Sequence, residues 1–258
     1  GYLYFSQIGG LDPSVIPGSV VEIQTAKGTV SGVIGRTPVH LLSQTERGKK
    51  IELDSLWIDI GAKDGDQAKK LVTVGDPAVS RPTVVDLEDH RIAAPGCDDR
   101  VGVYVVMEAL RLFSEAIGKK KSHPVALYAV STVQEEIGLR GARTASFGID
   151  PHVGIAGGVT NATDNPGADP KKVGTVKLGQ GPTISRGANC NHVLEELLVK
   201  TAKAKKIAYQ PLGAPGATGT DANAIQINRA GVATGLLGIP NRYMHTSVEI
   251  VDTRDLDS

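Results

Sequence analysis

Two stretches decide the fold: residues 100–117, RVGVYVVMEALRLFSEAI, and residues 125–133, VALYAVSTV. The first places apolar side chains three and four positions apart, which is the spacing of one helix face. The second is continuously apolar and rich in β-branched residues, which is typical of a strand buried on both faces. A helix followed by such a strand predicts an α/β architecture in which helices cover a sheet.

Toward the C-terminus the helical and strand patterns keep alternating. Further apolar strands are predicted at residues 153–159, 173–178 and 232–237, and further helices at residues 193–203 and 222–230. The alternation predicts one α/β domain over residues 81–258 with helices on the faces of its sheet.

Residues 1–80 have a different pattern. Val20–Gln24 and Thr29–Ile34 are β-prone runs joined by Ala-Lys-Gly, which predicts a hairpin. Residues 55–60 predict another strand, and residues 66–71 predict one or two turns of helix. Glycine and proline occur throughout, so we expect a small β-rich module.

The amino-acid composition limits the kinds of partner that the protein is expected to bind. The 258 residues include 28 basic and 28 acidic side chains, and nucleic acids and anionic membranes favour proteins with a basic face. No apolar run approaches the roughly 18 residues of a membrane helix. We therefore expect neither nucleic acid nor membrane as a partner.

The two cysteines and the start of the chain bear on location. Cys97 and Cys190 lie far apart, and no targeting signal is visible, so a reduced, cytoplasmic setting is expected. Cys97 has polar neighbours, as a nucleophile would. No histidine lies nearby in the sequence to activate it, so a small packed residue is the favoured interpretation.

Carboxylates adjoin two of the predicted elements. Glu135 and Glu136 follow the predicted strand at 125–133, and ligand sites in open α/β sheets form beyond the carboxyl ends of strands. Asp98 and Asp99 precede the predicted helix, where one aspartate serves as an N-cap and the second remains unexplained. Solvated loop carboxylates are the plain alternative for the first pair.

A histidine follows a third element. His245 lies on a loop after the predicted strand at 232–237. Aspartate, glutamate and histidine from separate strand ends are ligands that suit zinc, cobalt or manganese. Glu135 would then be available as a general base acting on a metal-activated water. A surface histidine is the alternative.

The segment Gly213–Asp221, GAPGATGTD, is glycine-rich but lacks the GK[ST] ending of a phosphate loop. A flexible loop that ends in a helix cap at Thr220 or Asp221 is one interpretation. The functional alternative is a mobile loop that shapes a substrate pocket, with Thr220 and Asp221 as substrate-binding residues.

Five segments together resemble the glutamyl-aminopeptidase-like metallopeptidases, which include the tetrahedral aminopeptidases and some members labelled as endoglucanases. In chain order they are GCDDRVG, STVQEEIGLRGARTASFGI, TDNPG, GTDANAI and RYMHTSVE. The N-terminal stretch is similar to the family's inserted dimerisation domain, so the resemblance spans almost the whole chain.

The resemblance implies a mixed-sheet catalytic domain interrupted by a β-rich insert at residues 1–80. It implies two co-catalytic metal ions, zinc or cobalt. The Asp98 side chain would bridge the two ions, and the peptide bond from Asp98 to Asp99 would be cis. Glu136 and His245 would be terminal ligands. Glu135 would take a proton from water and deliver it to the leaving amine. The implied function is removal of N-terminal residues from short peptides.

Two positions depart from the family pattern. The family's first histidine ligand lies upstream of the insert, before residue 1 of this chain, and a later aspartate ligand is replaced by Gly158. Asp98, Glu136 and His245 form the complete set for one metal, so one well-held ion is expected. Replacement of the missing aspartate by Asp164 through a loop shift is a weaker alternative. Relative to the family, the chain is expected to be truncated at both ends.

The same departures support a second hypothesis, a catalytically impaired member that acts as an assembly subunit or a peptide-binding module. Glycoside hydrolysis is a third, but it needs two carboxylates that flank a sugar groove. Glu135 and Glu136 are adjacent and expected to point in opposite directions along a strand, and only 4% of residues are aromatic. Relatives dimerise through the insert, so a homo-oligomer, a dimer or a dodecamer, is expected.

Overall fold

The structure is a computed structural model that describes residues 1–118 and 124–258. By its internal contacts the chain divides into two compact units. One comprises Gly1–Val84 with His245–Val248, and the other comprises Val85–Met244 with Glu249–Ser258. Among the described residues, no helix has both the length and the apolar character needed to cross a membrane.

The first unit is built on an antiparallel sheet. Its strands are β1 (Tyr2–Leu3), β2 (Val20–Thr25), β3 (Gly28–Gly35), β4 (Trp57–Asp59) and β5 (Ala78–Ser80), and its helices are α1 (Gln44–Arg47) and α2 (Gly65–Leu71). The strands are arranged in the order β1-β4-β3-β2-β5. The predicted hairpin is confirmed as β2 and β3, in which Thr25 pairs with Gly28. Alternate apolar residues of the strands, such as Val21, Ile23 and Ile58, form its buried core.

The described residues of the second unit form two sheets. Its strands are β6 (Val85–Leu87), β7 (Arg91–Ala94), β8 (Val153–Asn161), β9 (Thr183–Arg186), β10 (Gln210–Gly213), β11 (Ala233–Asn241) and β12 (Glu249–Asp252). Its helices are α3 (Cys97–Ile117), α4 (Arg140–Ile149), α5 (Pro170–Val173), α6 (His192–Lys205), α7 (Asp221–Gln226) and α8 (Thr253–Leu256). Strands β12, β7 and β6 form the smaller, antiparallel sheet.

The larger sheet has the order β10-β9-β11-β8. Strand β11 runs parallel to β8 and antiparallel to β9, and β10 runs parallel to β9, so the sheet is mixed. The predicted mixed α/β fold is confirmed. The predicted helix at 100–117 is confirmed as α3, whose buried Val101 packs with Ile239 of β11 and Val251 of β12.

The buried strand predicted at 125–133 is wrong. These residues adopt no strand, and Val125 and Val133 keep 56% and 68% of their surface exposed. A strand requires a partner backbone as well as apolar side chains, and the strand pairings of the described residues include none for this segment. The apolar pattern carries no information about that partner.

The strand predicted at 173–178 is also wrong, for a different reason. Val176 and Leu178 are buried, as expected, but the backbone of Val176 bonds to the backbone and hydroxyl of Thr163, and the N–H of Leu178 donates to Asp164 Oδ2. A neighbouring loop therefore satisfies the polar groups that a strand would have satisfied.

Candidate metal centre

Three residues that the sequence predicted as ligands lie together. Asp98, Glu136 and His245 each offer one ligand atom, and these atoms lie within 4.8 Å of one another. Ligand atoms at about 2.0–2.2 Å from a tetrahedral zinc ion are about 3.3–3.6 Å apart, so these atoms must approach one another by about 1 Å to share an ion. Two carboxylate oxygens and one imidazole nitrogen therefore fit a divalent cation after small side-chain movements. Their role as ligands stays a prediction.

The start of α3 separates the roles of the two adjacent aspartates. Asp99 Oδ1 accepts a hydrogen bond from the N–H of Gly102 at 3.0 Å, which is the contact of a helix cap. Asp98 keeps non-helical angles, φ −81° and ψ 104°, and the peptide that joins it to Asp99 is cis, as the resemblance implied. Because Asp99 caps the helix, Asp98 is not needed for that purpose.

Negative charge is concentrated around Asp99. The pKa of Asp99 is raised to about 7, first by burial and then by the carboxylates of Asp98, Glu135 and Asp221, while the hydrogen bond from the N–H of Gly102 lowers it. These three neighbouring carboxylates contribute a negative potential at Asp99, which a bound cation would neutralise.

Glu135 and Glu136 lie in a turn, not along a strand. The carbonyl of Glu135 accepts from the N–H groups of Gly138 and Leu139 at 3.0 and 2.9 Å, directly before α4. The expectation that the two side chains point to opposite faces of a strand is therefore wrong, because these residues have turn geometry. Glu135 is half-buried and Glu136 is exposed.

His245 lies in the loop between β11 and β12. Arg242 and Ile250 close the base of this loop by exchanging two backbone hydrogen bonds of 2.9 and 3.0 Å. The guanidinium group of Arg242 donates to both carboxylate oxygens of Asp164, each at 2.8 Å. The loop that carries His245 is thus attached at its base by backbone and side-chain bonds.

The ion pair with Arg242 also bears on whether Asp164 can act as a metal ligand. Burial would raise its pKa, but hydrogen bonds from Arg242 and from the N–H of Leu178 outweigh this effect and hold the pKa below its ordinary value. Both carboxylate oxygens are engaged in these bonds. This arrangement disfavours Asp164 as a replacement metal ligand.

Thr220 and Asp221 make contacts within the chain. Asp221 Oδ2 accepts from the hydroxyl of Thr132 at 2.6 Å, and its Oδ1 is buried with no hydrogen-bond partner among the described residues. Burial raises the pKa of Asp221. Thr220 occupies the N-cap position of α7 without a side-chain capping bond, and its hydroxyl lies 2.9 Å from that of Thr218. Their substrate-binding role stays a prediction.

Gly158, which the resemblance places where the family has an aspartate, lies in β8 opposite Gly238 of β11. A Cβ atom built on Gly158 would meet no other atom within 4 Å. The backbone therefore has space for a side chain at this position.

The structure adds one residue that the sequence reasoning missed, Glu249. It is 2% exposed, and its Oε2 accepts the N–H of Asp98 at 2.9 Å. The available signal was a single carboxylate in the apolar run at 248–251. Cys97 is 3% exposed, and burial and the nearby Glu249 raise the pKa of its thiol, which supports the packed-residue interpretation.

Known proteins resemble this chain over its whole length. The lysyl aminopeptidase of Pyrococcus furiosus is 42% identical over 262 residues, which cover 100% of this chain and 72% of the relative. The TET aminopeptidase from the marine sediment archaeon Thaumarchaeota archaeon SCGC AB-539-E09 superposes with a TM-score of 0.91 at 35% identity, covering 100% of this chain and 72% of that one.

A third protein is described by its assembly. The Pyrococcus horikoshii TET1 peptidase, which can assemble into a tetrahedron or a large octahedral shell, superposes with a TM-score of 0.81 at 31% identity and covers 100% of this chain and 74% of that one. The family model for M42 glutamyl aminopeptidase matches residues 1–258. This chain belongs to the M42 glutamyl aminopeptidase family of hydrolases.

Proposed function

We propose that the chain acts as a metal-dependent aminopeptidase that removes N-terminal residues from short peptides. The observation that carries the proposal is the convergence of Asp98, Glu136 and His245 in a chain of the M42 family. A divalent cation held there, zinc or cobalt, would polarise the scissile carbonyl and activate water.

The residues of the chain have separate tasks in this proposal. Asp98, Glu136 and His245 hold the cation. Glu135, next to a ligand in the chain but outside the ligand set, takes the proton of the attacking water and passes it to the leaving amine. The carboxylates around Asp99 favour the positively charged N-terminus of a peptide.

A substrate screen tests the activity. Leucyl, glutamyl and lysyl p-nitroanilides are each supplied with zinc or cobalt, and their N-acetylated forms serve as matched controls. We expect release of p-nitroaniline only from the free amino compounds, with loss of activity in a chelator and recovery when the cation is restored. Cleavage of the acetylated forms, or activity that survives the chelator, would contradict the proposal.

The number of ions tests the importance of Gly158. We expect elemental analysis and calorimetric titration to find one tightly held ion per chain, because Asp98, Glu136 and His245, the set that the resemblance implies for one metal, each offer a ligand atom within 4.8 Å of the others. Gly158→Asp is expected to add a second, weaker site, since the position has space for a side chain. Gly148→Asp, which adds a carboxylate on the exposed side of α4, is the control and should add none. Two tight ions in the unsubstituted chain would disprove the one-ion prediction.

A second function is supported by the same glycine. Without a carboxylate at position 158, a family member can retain peptide binding while hydrolysis is weak, and it would then serve as an assembly subunit or a peptide-binding module. Binding of short peptides with no turnover in the screen would favour this alternative. Glycoside hydrolysis is disfavoured, because it needs two carboxylates that flank a sugar groove, whereas Glu136 clusters with Asp98 and His245.

We further propose a cytoplasmic homo-oligomer in which residues 1–80 act as the inserted dimerisation domain, with a dimer as the unit of a dodecamer. The assembly described for the P. horikoshii relative supports it, as do the exposed apolar side chains of Tyr2, Tyr4 and Ile8. The free thiols of Cys97 and Cys190 agree with a reducing compartment. Light scattering that gives a monomer mass at micromolar concentration would contradict the oligomer.

A further inference from the structure

We infer that Glu249 is a positioning residue of the candidate metal centre: its buried carboxylate holds the backbone of Asp98, so that cation affinity depends on a side chain outside the ligand set. The inference rests on the proposed function, because it takes Asp98 as a ligand. It deepens that proposal by adding a residue that supports the ligand.

The contact itself is direct and buried. Glu249 Oε2 accepts the N–H of Asp98 at 2.9 Å, and Glu249 is 2% exposed. Its backbone is fixed as well, because Glu249 is the first residue of β12 and pairs with Ala94 at the end of β7. The sulfur of the neighbouring Cys97 lies 3.8 Å from the carbonyl oxygen of Glu249.

The backbone of Asp98 needs such an acceptor. Its angles are not helical, so the regular hydrogen bonds of α3 do not define its orientation. The direction of the Asp98 side chain follows from the orientation of its backbone, and the Glu249 carboxylate restrains that orientation. A charge-assisted hydrogen bond is about twice as strong as a neutral one.

The position of Glu249 in the chain also links it to the loop that carries His245. Glu249 lies four residues after His245, and its neighbour Ile250 closes the loop by pairing with Arg242. A shift of β12 would therefore move both the acceptor for Asp98 and the base of the loop that carries His245.

A buried carboxylate is costly unless hydrogen bonds or positive charge compensate it. Two other buried carboxylates of the chain are explained by structural contacts. Asp252 pairs with Arg254, and Asp255 accepts the N–H groups of Gly179 and Gly181. Glu249 differs from both because its carboxylate is bonded to the backbone of a predicted ligand.

The test compares Glu249→Ala, Glu249→Asp and Glu249→Gln with the unsubstituted chain. Cobalt affinity is measured by calorimetry, the ligand field by the visible spectrum of the cobalt form, and stability by urea unfolding without metal. We expect Glu249→Ala and Glu249→Asp to bind cobalt about 10- to 100-fold more weakly, with an altered spectrum. Glu249→Gln keeps an acceptor oxygen at the same reach and should stay within about threefold.

Asp255→Asn is the matched control, because Asp255 is equally buried but bonds to Gly179 and Gly181. It should lose stability and keep its cobalt affinity. If Glu249→Ala does not fold, Glu249→Asp, which keeps the charge and shortens the reach, decides the question. Unchanged cobalt affinity and spectrum in the folded variants would overturn this inference alone. Absence of cobalt binding by the unsubstituted chain would instead overturn the proposed function.

Discussion

Glu135→Gln is expected to lower kcat on aminoacyl substrates by about 10²- to 10⁴-fold and to leave cation affinity unchanged. Glutamine has nearly the same shape as glutamate but cannot accept the proton of the attacking water. Glu135 lies outside the cluster of Asp98, Glu136 and His245, and its backbone is held by the turn before α4. The substitution should therefore remove the proton transfer without disturbing the ligands.

The adjacent residue provides a matched control for this experiment. Glu136→Gln should lose cation affinity, because Glu136 contributes a ligand atom to the cluster. Steady-state kinetics and cobalt calorimetry on both variants separate the two roles. Full activity in Glu135→Gln, or the same loss of cobalt affinity in both variants, would show that the assigned roles are wrong.

Asp164→Asn is expected to destabilise the protein by about 1–3 kcal/mol, because this ion pair is partly buried and lies between an exposed pair, worth about 0–1 kcal/mol, and a fully buried one, worth about 3–5 kcal/mol. The side chains of Asp164 and Arg242 are only 15% and 16% exposed. The substitution leaves the partly buried Arg242 charge beside a neutral amide. Because Arg242 closes the loop that carries His245, cation affinity should fall as well.

The ion pair also predicts an acid sensitivity. The folded state holds the pKa of Asp164 below its ordinary value of 3.8, so the unfolded chain takes up the proton first as the pH falls. The stabilisation is complete above the unfolded pKa and is lost as the pH falls through the lower, folded pKa. Asp164→Asn should lack this component of acid destabilisation.

Urea unfolding at pH 7 and at several values below pH 4 measures both effects. Asp66→Asn is the control, since Asp66 is 89% exposed and pairs with Lys69 at 3.7 Å. Exposed pairs of this kind contribute about 0–1 kcal/mol. A loss of less than about 1 kcal/mol in Asp164→Asn at pH 7 would show that the pair does not hold this part of the fold.

Local patterns predicted a large part of the fold. The helical spacing at residues 100–117 and the hairpin at residues 20–34 depend on neighbours within a few positions, and both are found as α3 and as β2 with β3. The strand patterns at 125–133 and 173–178 failed because strand formation depends on a distant partner. The backbone of Val176, for example, bonds to Thr163 instead of to a strand.

The candidate site shows the same contrast between what local sequence predicts and what depends on contacts between distant residues. Residue chemistry and the resemblance to a family selected Asp98, Glu135, Glu136 and His245 from the sequence. The distance of at most 4.8 Å among the three ligand atoms could come only from the folded chain. The sequence also could not say which of the adjacent aspartates acts as a helix cap, since both precede the helix predicted at residues 100–117; in the structure Asp99 accepts the N–H of Gly102.

By itself, the sequence determined the α/β class, the β-rich N-terminal module and the chemical types of the site residues. Periodicity and side-chain chemistry are local properties, so they can be read without coordinates. Only the tertiary structure decided that Asp164 is committed to Arg242 and that Glu249 supports Asp98 from 151 positions away. Such contacts depend on how β11 and β12 pack around the start of α3, and short-range patterns do not encode that packing.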